Sequence, residues 1–162
     1  MLIGILSDTH DHVEITAAAV SLLKDRGAEF FIHCGDVGSE QVLDQLAGLP
    51  AAFVFGNCDW DSDGLARYAS HIGLACHGRL ADLTLDGKRF AVLHGDDSAL
   101  RQRILIAQNH DYLLQGHTHV RMDDRVGKTR LINPGALYRA RQKTVATLDT
   151  GTDQLTFLEV GQ

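Results

Sequence analysis

Cysteine is scarce and unpatterned in this chain. Cys34, Cys58 and Cys76 are odd in number, far apart, and never form a CxxC pair. That excludes a disulfide framework and a zinc knuckle, and it points to a reducing compartment. Long apolar runs are missing too: no segment approaches the ~18 residues a membrane-spanning helix needs. The opening residues MLIGILSD read as a strand and lack the basic and apolar regions of a secretory leader. A cytoplasmic protein is the expectation. There is no basic run, and 15 Lys and Arg against 21 Asp and Glu leave a net charge of -6. The global field therefore gives no help in binding nucleic-acid phosphates. A single phosphate can still be held locally, where bound metal ions dominate the electrostatics.

No linker, low-complexity segment or internal repeat interrupts the chain, and 162 residues suit one domain spanning 1–162. The first third alternates apolar runs with helical spacing. Leu2–Leu6, Glu29–His33 and Ala51–Phe55 read as buried strands. Between them, Val13–Arg26 stops at Gly27 as a helix would, and Ser39–Ala47 opens on an N-cap serine. This order predicts βαβ units with a parallel sheet.

The second half reads differently. Asp61–His77 is expected to be irregular, with one helical turn at Leu65–Ala69. Leu80–Leu85 and Arg89–Leu93 flank Asp86-Gly87 as a hairpin. Ser98–Ala107 reads as a helix, and Tyr112–Gln115 as a strand. Two further hairpins turn at Gly127 and Gly151. The predicted architecture is α/β: a four-layer α/β/β/α sandwich of two mixed sheets flanked by helices.

Seven polar residues follow apolar runs in the segments SDTH, CGDVG, GNCD, LHGD and GHTH: Asp8, His10, Asp36, Asn57, His94, His117 and His119. Open α/β sheets place ligands beyond the carboxyl ends of their parallel strands, where Asp8, Asp36 and Asn57 fall. Asp8 and His10 are spaced to lean on one ion, and Asp36 lies near glycines that leave its carboxylate room to bridge two. Asn57 offers a neutral oxygen and an NH₂ for a phosphate oxygen. His94, His117 and His119 complete a shell for two divalent cations. Nitrogen and oxygen ligands without thiolate suit Mn²⁺, or Ni²⁺, Fe²⁺ or Zn²⁺, better than Ca²⁺ or Mg²⁺. Two such ions ~3.5–4 Å apart hold a hydroxide for in-line attack on phosphorus and clamp the phosphate oxygens.

Asp-x-His, Gly-Asp, Gly-Asn and Gly-His-x-His, with a His before the last, resemble the calcineurin-like metallophosphoesterases. GNCD and the NPGA segment Asn133–Ala136 are similar to the small YfcE-like branch. The resemblance runs from Leu2 to about Tyr138 and implies a phosphodiesterase acting on small phosphoesters. It implies that Asp8, His10, Asp36 and His119 hold one metal, and that Asp36, Asn57, His94 and His117 hold the other. Asp36, Asn57 and His94 are then the catalytic candidates. Many larger members carry His directly after the Asn, where this chain has Cys58. A thiol of pKa ~8.5 is a poor acid for a leaving group, so acidic leaving groups are expected to react best.

Other residues carry a functional and a plain reading together. His12 either meets substrate or is solvated. Asp59 either orients a ligand histidine or caps a turn, and Asp96 and Asp97 are expected to start the helix from Ser98. Trp60 and Tyr68 can stack on a ring, although packing of their segment is the plainer account. Arg67, Arg121, Arg139 and Arg141 can meet a phosphate, with solvated surface as the default. His33 and Cys34 are expected in the core, and His71, His77 and His110 on the surface. Alternatives within the fold are a phosphomonoesterase, a nucleotide-pyrophosphate hydrolase, and a catalytically weak metal-binding interaction scaffold. Family members often form homo-oligomers, which an edge hairpin such as Leu80–Leu93 can mediate.

Overall fold

The computed structural model describes residues 1–161. In chain order it contains β1 (Leu2–Leu6), α1 (Val13–Asp25), β2 (Phe30–His33), α2 (Glu40–Asp44), β3 (Ala51–Phe53), α3 (Ser62–His71) and β4 (Ala75–Cys76). Then follow β5 (Leu80–Leu85), β6 (Lys88–Leu93), α4 (Ser98–Ala107), β7 (Tyr112–Leu114), β8 (Met122–Val126), β9 (Thr129–Asn133), β10 (Thr144–Asp149) and β11 (Gln154–Glu159).

Two mixed sheets result. One has the order β11-β10-β1-β2-β3-β4 and the other β5-β6-β7-β9-β8. The neighbours β1 to β4 run parallel, as do β6, β7 and β9. The parallel strands are apolar on both faces because both faces are covered. Ile3, Ile5, Ile32 and Val54 meet Phe90, Val92, Leu114 and Ile132 in the layer between the sheets. From the opposite face of the first sheet, Leu6, Phe31 and Phe53 pack with Val20, Leu23, Leu43 and Leu65 of α1, α2 and α3. Leu93 and Leu113 of the second sheet pack with Ile104 and Leu105 of α4. The sandwich of two sheets between helices is therefore as expected. No described helix is long and apolar enough to cross a membrane.

The local departures have physical causes. The segment expected to be irregular contains α3, ten residues long. The Asp61 carboxylate caps it by accepting from Gly64 N at 3.0 Å, and Leu65 and Ala69, four apart, bury one face. Gly64, Ser62 and Ser70 are weak helix formers, and tertiary packing overrides them. The second helix is shorter than expected, and Ser39 occupies its N-cap position without a side-chain cap bond. His110 is buried beside Asp82, its Nε2 3.3 Å from the carboxylate, and is not a surface residue. The hairpin at Asp86-Gly87 turns through φ of 50° and 72°, the pairing a two-residue turn favours.

One polar cluster ties the outer strands together. Arg130 is 9% exposed; its Nε and Nη2 each reach an Asp123 oxygen at 2.8 Å, and its Nη1 reaches Asp153 Oδ1 at 2.8 Å. Tyr112 donates to the same Asp153 oxygen at 2.9 Å. The Arg130 guanidinium holds the Asp123 carboxyl below its ordinary range. Burial would raise Asp153, but the hydrogen bonds from Arg130 and Tyr112 outweigh it. We expect Arg130→Met to cost roughly 2 kcal/mol, because charge-assisted bonds are lost while half-exposed carboxylates regain water. Carboxyls depressed in the folded state stabilise it above their unfolded value of 3.8, and that contribution disappears as pH falls through the folded value. Urea denaturation at pH 7 and pH 3 checks this: the difference between wild type and variant is expected to shrink in acid.

Candidate metal centre

The site is built where the parallel strands of both sheets end. Asp8 and His10 lie beyond β1, Asp36 beyond β2 and Asn57 beyond β3, while His94 follows β6 and His117 and His119 follow β7. Five of the six aspartate and histidine candidates converge tightly. Asp8, His10 and His119 form one group of potential ligands, and Asp8, Asp36 and His94 another. His10 Nε2 and His94 Nε2 lie 3.4 and 3.2 Å from Asp36 Oδ2, and His119 Nε2 lies 3.1 Å from Asp8 Oδ1. Asn57 and His117 are exposed and line the adjoining cavity of about 540 Å³, with the His117 ring edge-on to His94 at 5.1 Å. His117 belongs to neither of these groups. Cys58, half-buried, joins a third group with His10 and Asp36.

The atoms at the centre lack ordinary partners. Asp8 Oδ1, His10 Nε2 and His94 Nε2 are buried without a hydrogen bond. Such groups are costly to bury unless something else compensates them. Their other atoms are well held: Asp8 Oδ2 accepts from His117 N at 3.1 Å, and Asp36 Oδ1 accepts from Cys58 N at 2.8 Å. His94 Nδ1 donates to Cys34 O at 2.9 Å, which in the neutral ring leaves the Nε2 lone pair pointing at the carboxylates. This donor set fits divalent cations.

Electrostatics follow from the crowding. Burial would raise the Asp36 carboxyl, yet the His94 ring and the Cys58 N–H hold it well below the ordinary range. Burial would lower His94, but Asp36 and Asp8 hold it above the usual imidazole value. Burial wins at His10, which is lowered despite the same carboxylates. His33, fully buried, is pushed down to about 3 by burial and is a neutral core residue, as expected. Its Nδ1 accepts from Gly35 N at 3.2 Å, and its Nε2 meets Thr9 Oγ1 at 2.9 Å.

Backbone geometry is unusual here. Asp8, His10, Asp36, His117 and His119 all have positive φ, between 44° and 68°. Left-handed backbone at a non-glycine residue costs about 1 kcal/mol or more and collects at functional sites. Two glycines let the loops close on each other. A Cβ on Gly56 would lie 2.0 Å from Asp36 Oδ1, and one on Gly116 would lie 2.5 Å from Asp8 Oδ2.

Two supporting residues escaped the sequence reading of their roles. Asp59, 6% exposed, accepts from Gly38 N at 2.9 Å and Gly56 N at 2.7 Å. It thus ties the Asp36 loop to the Asn57 loop and caps no turn. Asn133 is buried and donates through Nδ2 to Gly116 O at 2.7 Å and Thr118 Oγ1 at 3.1 Å. The NPGA turn therefore braces the loop of His117 and His119. His12 is exposed at the start of α1, as its plainer reading has it, and stacks on Tyr138 at 4.5 Å. Asp97 does cap its helix, accepting from Leu100 N, whereas Asp96 pairs with Arg79. Trp60, 89% exposed, does not pack its segment; it stands at the cavity wall.

Carboxylates and imidazoles gathered at the ends of parallel strands from two stacked sheets define a metal-binding class of α/β protein. Residues 1–153 match the calcineurin-like phosphoesterase superfamily domain, and the chain belongs to that superfamily of phosphoester hydrolases. Phosphodiesterase MJ0936 of Methanocaldococcus jannaschii is 30% identical over 158 residues, covering 93% of this chain and 93% of that protein. The solved structure of an archaeal phosphodiesterase superposes with a TM-score of 0.91 at 27% identity, covering 99% of this chain and 100% of the other. The E. coli phosphoesterase YfcE shares the fold at a TM-score of 0.69 and 18% identity, over 99% of this chain and 100% of that one.

Two substitutions separate the supports from the ligands. Asp59→Ala leaves two N–H groups without an acceptor and is expected to cost roughly 2–3 kcal/mol in urea denaturation. Calorimetric Mn²⁺ titration should show weaker binding as well. Gly56→Ala displaces the Asp36 carboxylate, so Mn²⁺ binding should fall while the circular dichroism spectrum stays close to wild type.

Proposed function

We propose that the whole chain, 1–162, is a single-domain phosphodiesterase that works with two divalent cations. Asp8, His10, Asp36 and His119 would hold one cation and Asp36, Asn57, His94 and His117 the other, with Asp36 shared. Mn²⁺ is the expected metal, with Ni²⁺, Fe²⁺ or Zn²⁺ fitting the same nitrogen and oxygen donors. The observation that carries the reading is the crowding of Asp8 Oδ1, His10 Nε2 and His94 Nε2, all buried and unpartnered, with each imidazole nitrogen 3.9 Å from the Asp8 oxygen. The phosphodiesterase names of the Methanocaldococcus relative and of the archaeal structure support a diester as substrate.

When bound, the cations supply charge to neutralise phosphate oxygens and lower the pKa of water. The chain's own residues do the rest. Asn57, exposed at the cavity wall, presents its NH₂ to a phosphate oxygen. His94 is kept in one orientation by Cys34 O, and the buried Asp8 carboxylate is aligned by His117 N. The half-buried Cys58 thiol stands where larger relatives place an imidazole, so departure of the alcohol relies on its own acidity. A small phosphoester fits the open cavity, and the acidic net charge of -6 disfavours a nucleic-acid polymer. The unpaired cysteines agree with a reducing, cytoplasmic setting.

The test starts from protein stripped of metal and restored with Mn²⁺. Bis-p-nitrophenyl phosphate should turn over faster than p-nitrophenyl phosphate, and diester rates should fall steeply as the leaving alcohol becomes less acidic. Asp36→Asn is expected to lose activity by a factor on the order of a hundred or more, a few kcal/mol of transition-state stabilisation. Undiminished diester hydrolysis by Asp36→Asn under exhaustive chelation would sink the proposal. Tight metal binding without turnover of either ester would mark an interaction scaffold of the same fold.

A further inference from the structure

Arginine is placed unevenly over this surface. Arg79, Arg89, Arg125 and Arg130 are each paired with a carboxylate. Among the described residues the other seven have no such pair, and three of those seven, Arg121, Arg139 and Arg141, are gathered in one place while Arg26, Arg67, Arg101 and Arg103 lie apart from them. Arg121, Arg139 and Arg141 line one groove of about 350 Å³ together with Gln142, and among the described residues no acidic side chain contributes to its walls. In a chain with 21 acidic residues against 15 basic, three guanidiniums facing a groove without a carboxylate make a local field opposite in sign to the whole.

The groove adjoins the candidate metal centre. His119 and Arg139 line both the metal cavity and the groove, so a ligand can pass from one to the other without leaving the protein surface. Two arginines are partly positioned already. Arg121 lies over the Phe157 ring at 5.7 Å, and its Nη2 donates to Gln142 Oε1 at 3.3 Å. Arg139 lies over the Tyr138 ring at 5.1 Å, and its own backbone has a positive φ of 47°. Stacked guanidiniums lose less freedom on binding and keep their outward N–H groups for an anion.

We infer that the groove is a subsite for a second phosphate, so that the preferred substrate is a small diester carrying a further phosphate near the scissile one. A phosphate dianion has three oxygens for forked donors, and each charge-assisted pair strengthens where carboxylates do not compete. The substrate class is that of nucleotide-like diesters with an extra phosphate on the sugar. The inference deepens the phosphodiesterase reading and rests on it. It also explains how an acidic protein draws in a multiply charged anion: the attraction is confined to one end of the active-site cleft.

Two p-nitrophenyl diesters of thymidine 5′-phosphate, with and without a 3′-phosphate, test this on the Mn²⁺-loaded protein. The form with the 3′-phosphate should have a kcat/KM roughly tenfold higher. In an Arg121→Gln, Arg141→Gln variant that ratio should fall to about one, and Arg121→Lys, Arg141→Lys should keep part of it. A ratio near one in the wild type, or one unchanged in the glutamine variant, overturns the inference. If no diester is turned over at all, the phosphodiesterase reading fails, and the groove is then judged by binding. Trp60 is the only tryptophan and stands at the metal cavity, so its fluorescence reports occupancy. Thymidine 3′,5′-bisphosphate binding several-fold tighter than thymidine 5′-phosphate in the wild type alone supports the subsite. Equal affinities overturn it.

Discussion

Two carboxylates buried side by side, Asp8 and Asp36, set the terms for the rest of the molecule. They leave adjacent parallel strands and are 0% and 3% exposed, and between them stand imidazole nitrogens without hydrogen bonds. Like charges in a medium of low dielectric repel strongly, and desolvation adds its own penalty. The apolar core must supply the stability that this arrangement removes. It does so through large side chains packed on both faces of each parallel strand, among them Phe31, Phe53 and Phe90, all almost fully buried.

Holding the charges together requires rigid backbone, and the chain achieves it in three ways. Left-handed backbone at five of the seven candidate ligands turns the loops sharply just beyond the strand ends. Glycines at 56 and 116 allow backbone to approach carboxylate more closely than any side chain would permit. Asp59 and Asn133 then join loops from neighbouring strands, each through two hydrogen bonds. A site with ligands fixed by their surroundings needs little rearrangement when its cations arrive, which is the usual route to high affinity.

Much of this was legible in the sequence because the signals were local. Apolar runs ending in Asp, Asn or His placed the ligands at strand ends, and the hairpin at Asp86-Gly87 followed from its turn residues. What was not legible depends on distant partners. The helix α3 exists because Leu65 and Ala69 find a core to pack into, although its serines and glycine argue against it. Asp59 reads as an ordinary turn residue until Gly38, from another loop, is seen to donate to it. His110 has no motif, and its burial beside Asp82 depends on a hairpin partner strand. The grouping of Arg121, Arg139 and Arg141 likewise needs the loops after β7 and β9 to meet, which spacing alone does not reveal.

The ligands come from both sheets, yet among the described residues no strand is shared between the sheets and no ladder of backbone bonds joins them. What sets their separation is the apolar layer of Ile32, Val54, Phe90 and Ile132. The distance between the Asp36 side of the centre and the His94 side is therefore gauged by side-chain volume in the interior. Changing a methyl group in that layer acts as a shim, altering the spacing of the ligands without touching any of them. Tuning for one cation radius over another is thus open to residues that never meet a cation.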